Sequence, residues 1–166
     1  MRADCQIMEI DLKVLEACIR EVILVRTSAY EEWNGPKSQQ EQQREAVSWL
    51  RKVSDWRNPA IFLVKKGSEV VGYLLGYEGD KEDFHIWHVG VKQDFKRQGI
   101  GRALLRKCEE ACRTRGYRVL STTSYNRFRG MLILLLQEEF YIEGVTWITG
   151  ATELRLLLRK ELNGAS

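Results

Sequence analysis

The residues from Val89 to Leu105 concentrate more chemistry than any other part of the chain: Val89-Gly90-Val91-Lys92-Gln93-Asp94-Phe95-Lys96-Arg97-Gln98-Gly99-Ile100-Gly101-Arg102-Ala103-Leu104-Leu105. A short apolar strand feeds a basic turn with two glycines, and the turn opens a helix. The first N–H groups of a helix have no internal partner and lie at the positive end of its dipole. Glycine lets an anion approach the backbone without a Cβ in the way. Together these features describe a phosphate cradle. Six basic residues (Lys92, Lys96, Arg97, Arg102, Arg106, Lys107) and one acid, Asp94, lie between Lys92 and Lys107, more positive charge than the +3 of the whole chain. The Gly-x-x-x-x-Gly-Lys-Ser/Thr of a Walker A loop is absent. So is the third glycine of a dinucleotide fingerprint. The plain alternative is a tight turn followed by a solvated basic helix face.

The elements around this loop follow from apolar periodicity. Gln6 to Ile10 predicts a first strand, and Asp11 is placed as the N-cap of a helix carrying Leu12, Leu15, Ile19, Val22 and Ile23 on one face. Asn34-Gly35-Pro36 breaks it. The polar stretch Lys37 to Arg44 leads into a second helix with Ala46, Val47, Trp49, Leu50 and Val53, ended by Asn58-Pro59. Strands are expected at Ala60 to Val64, Val70 to Tyr77 and Phe84 to Val91, with turns at Lys66 to Glu69 and Glu78 to Lys81. A helix runs from Ile100 to Gly116, a strand from Tyr117 to Thr123, and an apolar helix from Phe128 to Glu138. Two final strands fit Phe140 to Ile148 and Glu153 to Lys160, with a bulge at Gly144 where the apolar parity shifts. The order β-α-α-β-β-β-α-β-α-β-β predicts a mixed α+β or α/β sheet, not a doubly wound one.

Composition narrows the functional classes. A chain of 166 residues with 44% apolar and 30% charged residues is expected to fold as one globular domain spanning 1–166. A net charge of +3 is too mild to make nucleic acid the expected partner. No apolar run approaches a membrane span, and the N-terminal residues lack a signal core, so no membrane partner is expected and a cytoplasmic location is. Cys5, Cys18, Cys108 and Cys112 suggest neither a disulfide framework nor a zinc knuckle, and no metal site is expected. Cys108 and Cys112, one helical turn apart, are read as helix packing.

The loop, in this strand order, resembles the GNAT superfamily of acetyl-CoA-dependent N-acetyltransferases. The family pattern Arg/Gln-x-x-Gly-x-Gly/Ala corresponds to Lys96-Arg97-Gln98-Gly99-Ile100-Gly101, with Lys96 departing from the usual first residue and Gln93 standing where a Pro is common. The element order matches along most of the chain. The resemblance implies a central, mostly antiparallel sheet of six to seven strands flanked by about four helices. It also implies acetyl-CoA as the cofactor. Backbone groups of Lys96, Arg97, Gln98, Gly99, Ile100, Gly101, Arg102 and Ala103 would hold the pyrophosphate. Val89, Gly90 and Val91 would meet the pantetheine arm as an added strand, where the fourth and fifth strands splay apart. A second family motif places an Asn after the fifth strand, here Asn126, then a helix with a Tyr, then Gly-Phe. Here Glu139-Phe140 fills the last pair, and the Tyr position holds Leu135, which cannot protonate a departing thiolate.

The implied reaction is direct attack of a primary amine on the thioester. A free alkyl amine has a pKa near 10, so a base or a desolvating pocket is useful. His88, on the fourth strand, is the expected base, with an ordinary pKa of about 6.5. His85 and, through water, Glu78 are weaker candidates. Tyr125 is the expected acid and Tyr141 its competitor. Trp87 is expected to pack. The segment Tyr30-Glu31-Glu32-Trp33-Asn34 and the Glu78 to Asp83 turn form an expected acidic rim that would attract a cationic small-molecule or peptide amine. A homodimer is compatible with this reading. Two others stay open: a non-catalytic acyl-CoA-binding module, motivated by Leu135, and a nucleic-acid binder using the Lys92 to Lys107 stripe.

Overall fold

A computed structural model describes residues 4–147 and 153–162. Its elements are β1 (Cys5–Ile10), α1 (Leu12–Asn34), α2 (Gln39–Ser54), β2 (Ala60–Lys66), β3 (Glu69–Glu78), β4 (Asp83–Val91), a short 3-10 turn (Gln93–Phe95), α3 (Ile100–Thr114), β5 (Val119–Tyr125), α4 (Arg129–Gln137), β6 (Tyr141–Thr146) and β7 (Arg155–Glu161). The order is the one expected.

Local chemistry explains the boundaries. Asp11 caps α1 by accepting from the Val14 N–H at 2.9 Å. The second helix starts earlier than the apolar pattern suggests, because Ser38 and Glu41 form a capping box that draws the polar stretch into the helix. It ends at Ser54, before Asn58-Pro59. The fifth strand begins at Val119 and reaches Tyr125, two residues later at each end than expected. The Ile148 end of the expected sixth strand lies outside the described residues. The bulge near Gly144 is present, as a register shift between Ile142 and Gly144. Glu139, at the family's glycine position, has φ of 66° and occupies the left-handed conformation that follows a helix end.

Seven strands form one sheet in the order β1-β2-β3-β4-β5-β7-β6. Every pair is antiparallel except β4 and β5, which are joined across α3. The sheet separates two apolar layers. One holds α3 and α4 over Phe62, Leu74, Phe84, Ile86 and Leu120. The other holds α1 and α2 over Ile61, Leu63, Tyr73 and Leu75. Cys108 and Cys112 are fully buried in the first layer, as plain packing requires. Among the described residues, no helix is long and apolar enough to cross a membrane.

Candidate active site

The parallel ladder between β4 and β5 runs only from Asp83 opposite Val119 to Ile86 opposite Thr122. Both strands continue beyond it, to Val91 and Tyr125, without pairing to each other. They therefore splay, and a cavity of about 250 Å³ opens between them. Leu105, Ser124, Met131 and Leu135 line it from the α3/α4 layer, while Arg26, Tyr30, His88, Tyr125 and Arg155 line it from the α1/α2 layer.

A bulge aims the β4 side chains. Leu75 stands opposite His88 and Gly76 opposite Ile86, so Trp87 is the extra residue. Trp87 and His88 consequently both face α1 and α2, where Trp87 packs on Trp49 and Trp56. Val89 returns to the α3 layer beside Ile86. The Lys92 N–H donates to the Val71 carbonyl at 2.9 Å. Alternation along an antiparallel ladder then turns the N–H and C=O of Val89 and Val91 away from β3 and into the opening.

The loop after β4 has the geometry of a cradle. Arg97 has φ of 62° and Gly99 φ of 81°. Asp11 and Ser38 cap α1 and α2 with side chains, but the N-cap of α3 is Gly99, which offers none. The Ala103 N–H bonds to the Gly99 carbonyl, so the N–H groups of Ile100, Gly101 and Arg102 precede the intrahelical ladder. Gly101 faces α4: a Cβ there would meet Leu134 at 3.1 Å. These residues fit a pyrophosphate held by backbone donors.

The basic side chains are a different matter. Lys92 pairs with Glu69, and Lys107 with Glu110. Arg102 and Arg106 both pair with the buried Glu138 at 2.7 and 2.8 Å. Lys96 donates to the Ala29 carbonyl at 2.8 Å. Its amine turns toward α1, and burial lowers its pKa. Among the described residues, Arg97 is the one stripe cation with neither a salt bridge nor a side-chain hydrogen bond. Carboxylates thus engage most of the basic stripe, Glu69 and Glu138 from far along the chain and Glu110 from the next turn of α3.

Gly90 has a structural reason. A Cβ there would fall 2.5 Å from the Tyr73 ring, which lies across the strand at this point. The Tyr73 hydroxyl reaches His88 Nδ1 at 2.8 Å. His88 is enclosed by Tyr30, Trp49, Tyr73 and Trp87. Burial, with the Arg26 charge nearby, pushes its pKa down from 6.5 to about 3. The expected ordinary histidine pKa is therefore corrected: His88 is neutral throughout the physiological range. Tyr73 is fully buried, and desolvation holds its proton on. The direction of this hydrogen bond follows the histidine tautomer: with the buried phenol as donor, the Nδ1 lone pair is occupied and the ring proton sits on Nε2.

The other expected residues separate. Tyr125 lines the cavity, and its oxygen accepts from Arg155 Nη2 at 3.3 Å, leaving its own O–H free to donate. Leu135 is a buried wall of the same cavity. Asn126 is exposed in the turn after β5 and does not line it. His85 lies on the paired part of β4, with Nδ1 3.0 Å from Ser121 Oγ. Tyr141 is exposed on the edge strand and donates to Glu161. Glu78 is engaged by Arg57, Asn58 and Tyr117 at the far end of the sheet. The Glu78 to Asp83 turn is at that end too, five residues and roughly 16 Å along β4 from His88. The Glu78 to Asp83 half of the expected acidic rim is corrected; the Tyr30 to Asn34 half reaches the cavity through Tyr30 and Asn34, and the lining itself contains three arginines and no carboxylate.

Several roles escaped the sequence reading. Tyr30 donates to the Val89 carbonyl at 2.6 Å, and burial raises its pKa to about 12. With Ser28 accepting from the Gln93 N–H and Ala29 from Lys96, it ties α1 to the β4–α3 segment. Ser124 Oγ is buried against the cavity without a hydrogen-bond partner. Arg26 and Arg155 come from opposite ends of the chain, and no short motif announces them.

Comparison with known proteins agrees with this geometry. No curated protein matches the chain in sequence. Solved structures share the fold: the ribosomal-protein-S18-alanine N-acetyltransferase from Escherichia coli (14% identity, TM-score 0.75, covering 98% of this chain and 96% of that one), and the PaiA N-acetyltransferase from Thermoplasma acidophilum in complex with coenzyme A (12%, 0.72, 95% and 98%). YncA from Salmonella typhimurium, with its cofactor acetyl-CoA, is a third (14%, 0.73, 99% and 97%). The sequence profile of the acetyltransferase (GNAT) family matches residues 26–129, which contain β4, the cradle, α3 and β5. The splayed strands, the uncapped helix and this match together place the chain in the acetyltransferase (GNAT) family, with acetyl transfer as its class of reaction.

Proposed function

We propose that the protein moves an acetyl group from acetyl-CoA to a primary amine, as one transferase domain, by direct attack. The observation that carries this reading is the end of the β4–β5 ladder at Ile86 and Thr122, which opens a passage from the α3 cradle to the α1/α2 layer. The similar structures of N-acetyltransferases, two of them with coenzyme A or acetyl-CoA bound, support it.

In this reading the Arg97 to Arg102 N–H groups hold the pyrophosphate, and the Val89 and Val91 main chain meets the pantetheine arm. Acetyl-CoA, when bound, would supply the acetyl group as a thioester: the C–S bond breaks as the amine forms the C–N bond, and the proton the amine gives up replaces the one Tyr125 passes to the sulfur, leaving free thiol. The Val89 N–H faces the opening and polarises a carbonyl oxygen placed there. Ser124 offers a buried hydroxyl on the cofactor side. Tyr125 serves as proton donor in place of the absent phenol at Leu135, and the leaving thiol, with a pKa near 8.5, needs that help only modestly. In this reading His88 has a positioning role rather than that of the base, since its Nδ1 is engaged with the Tyr73 hydroxyl and burial keeps its basicity low. It positions the α1/α2 wall, and the amine enters in its neutral form by desolvation.

A second reading, acyl-CoA binding without turnover, rests on Leu135. Calorimetric binding of coenzyme A combined with thiol release from acetyl-CoA over a panel of primary amines separates the two. Amine-dependent release with N-acetylated product is the expected result. Tight binding with no release for any amine would reject catalysis in favour of the binding module.

A further inference from the structure

We infer that the acceptor is an amino acid-sized amine that also carries a carboxylate, with Arg155 as the residue that receives the carboxylate. The inference deepens the acetyl-transfer reading and rests on it for the identity of the reaction.

The cavity has two sides. The α3 cradle lies on one face of the sheet, so the cofactor arm enters from there, and the acceptor is left the α1/α2 side. That side carries Arg26, Arg127 and Arg155 and no Asp or Glu. The three are not equivalent. Arg127 is paired with Glu153 at 3.4 Å. Arg26 lies 3.0 Å from Glu45, which also binds Lys37, so one carboxylate serves two cations. Arg26 Nε and Nη1 are buried without an aligned acceptor. Among the described residues, Arg155 pairs with no carboxylate at all. Its one hydrogen bond goes to the neutral hydroxyl of Tyr125, over whose ring the guanidinium lies at 5.8 Å.

A guanidinium keeps its charge at any accessible pH and presents donors in a planar fork that matches a carboxylate. Here most of that fork is unused, a few ångströms from the hydroxyl assigned to the reacting centre. A polyamine or other purely cationic acceptor would enter against these charges, whereas an amino carboxylate brings the missing counter-ion. Size agrees: the cavity holds about 250 Å³ in all, below the usual range for drug-sized ligands, and the cofactor arm takes part of it.

The test uses matched acceptors: an α-amino acid, its carboxamide and the amine lacking the carboxyl group. Each is assayed with acetyl-CoA on the wild type, Arg155→Met and Arg155→Lys. The wild type is expected to prefer the amino acid by about tenfold or more in kcat/KM. Arg155→Met should abolish that preference, and Arg155→Lys should retain part of it. The coenzyme A Kd of both variants should stay within about twofold of wild type, which also verifies their folding. Turnover of all three acceptors without preference overturns the carboxylate inference and leaves acetyl transfer standing. If no acceptor turns over, acetyl transfer fails, and calorimetry of the coenzyme A-loaded protein with the N-acetyl amino acid decides the inference separately. Binding lost in Arg155→Met upholds it, and absence of binding to the wild type overturns it. A weakened coenzyme A Kd in Arg155→Met would place the arginine on the cofactor and also overturn it.

Discussion

The Tyr73 hydroxyl and His88 Nδ1 lie 2.8 Å apart, on neighbouring strands, in a layer of stacked rings. Gly90 makes the approach possible, since any Cβ there would strike the Tyr73 ring. One histidine, one tyrosine and one glycine, which look in sequence like base, core and flexible joint, are a single packing unit.

This unit sets a pH dependence of stability. Unfolded, His88 titrates near 6.5; folded, near 3. The unfolded chain therefore binds the extra proton between those values. The His88 contribution to stability is complete above pH 6.5 and is lost as pH falls toward 3. Urea unfolding of wild type and His88→Gln between pH 4 and 8 should show a shallower acid decline in the variant. No inflection of kcat/KM between pH 6 and 8 should disappear with the substitution, because the folded imidazole does not titrate there.

Gly90→Ala should be among the most damaging single-methyl additions in the protein. The new Cβ would lie 2.5 Å from the ring of the fully buried Tyr73. A loss of about 1–3 kcal/mol is expected from overpacking, read by denaturant midpoint at constant slope. An unchanged midpoint would mean that Tyr73 has room to move.

Glu139 should respond in the opposite direction. It holds φ of 66° with its side chain largely in solvent, 3.6 Å from Lys160, which is already paired with Glu109 at 2.6 Å. Glu139→Gly removes the left-handed strain and should stabilise the fold by about 1 kcal/mol, seen as a rise in Tm.

Coenzyme A affinity should distinguish the two kinds of basic residue on the cradle. Arg97→Ala should raise the Kd about threefold, less at high salt. Lys92→Ala and Lys107→Ala should leave it unchanged, since Glu69 and Glu110 already engage those amines. A uniform loss across all three would restore the free cationic stripe.

Tyr125→Phe should lower kcat about tenfold to a hundredfold with little change in coenzyme A binding. An unaltered kcat would remove Tyr125 from the proton path and leave the thiolate to depart unaided.

The element order and the cradle were legible because both are local. Periodicity marks β4 and α3, and Gly99 and Gly101 mark the turn between them. What was not legible depends on distance in the chain. Glu138 neutralises Arg102 and Arg106 from another helix. The bulge at Trp87 shifts the facing of every later β4 residue, yet it is defined only by the register against β3. The acidic turn after Glu78 is near β4 in sequence, but the strand carries it to the closed end of the sheet. Arg26 and Arg155 meet at the cavity only through the whole topology.

The central claim is acetyl transfer to a primary amine at the β4–β5 opening. Mass analysis of the acceptor after incubation with acetyl-CoA and the protein tests it most directly. The account predicts an N-acetylated product formed mole for mole with free thiol, saturable in acetyl-CoA and abolished by omitting the protein. Bound coenzyme A with no acetylated product from amino acids, their amides, alkyl amines or peptides would contradict it.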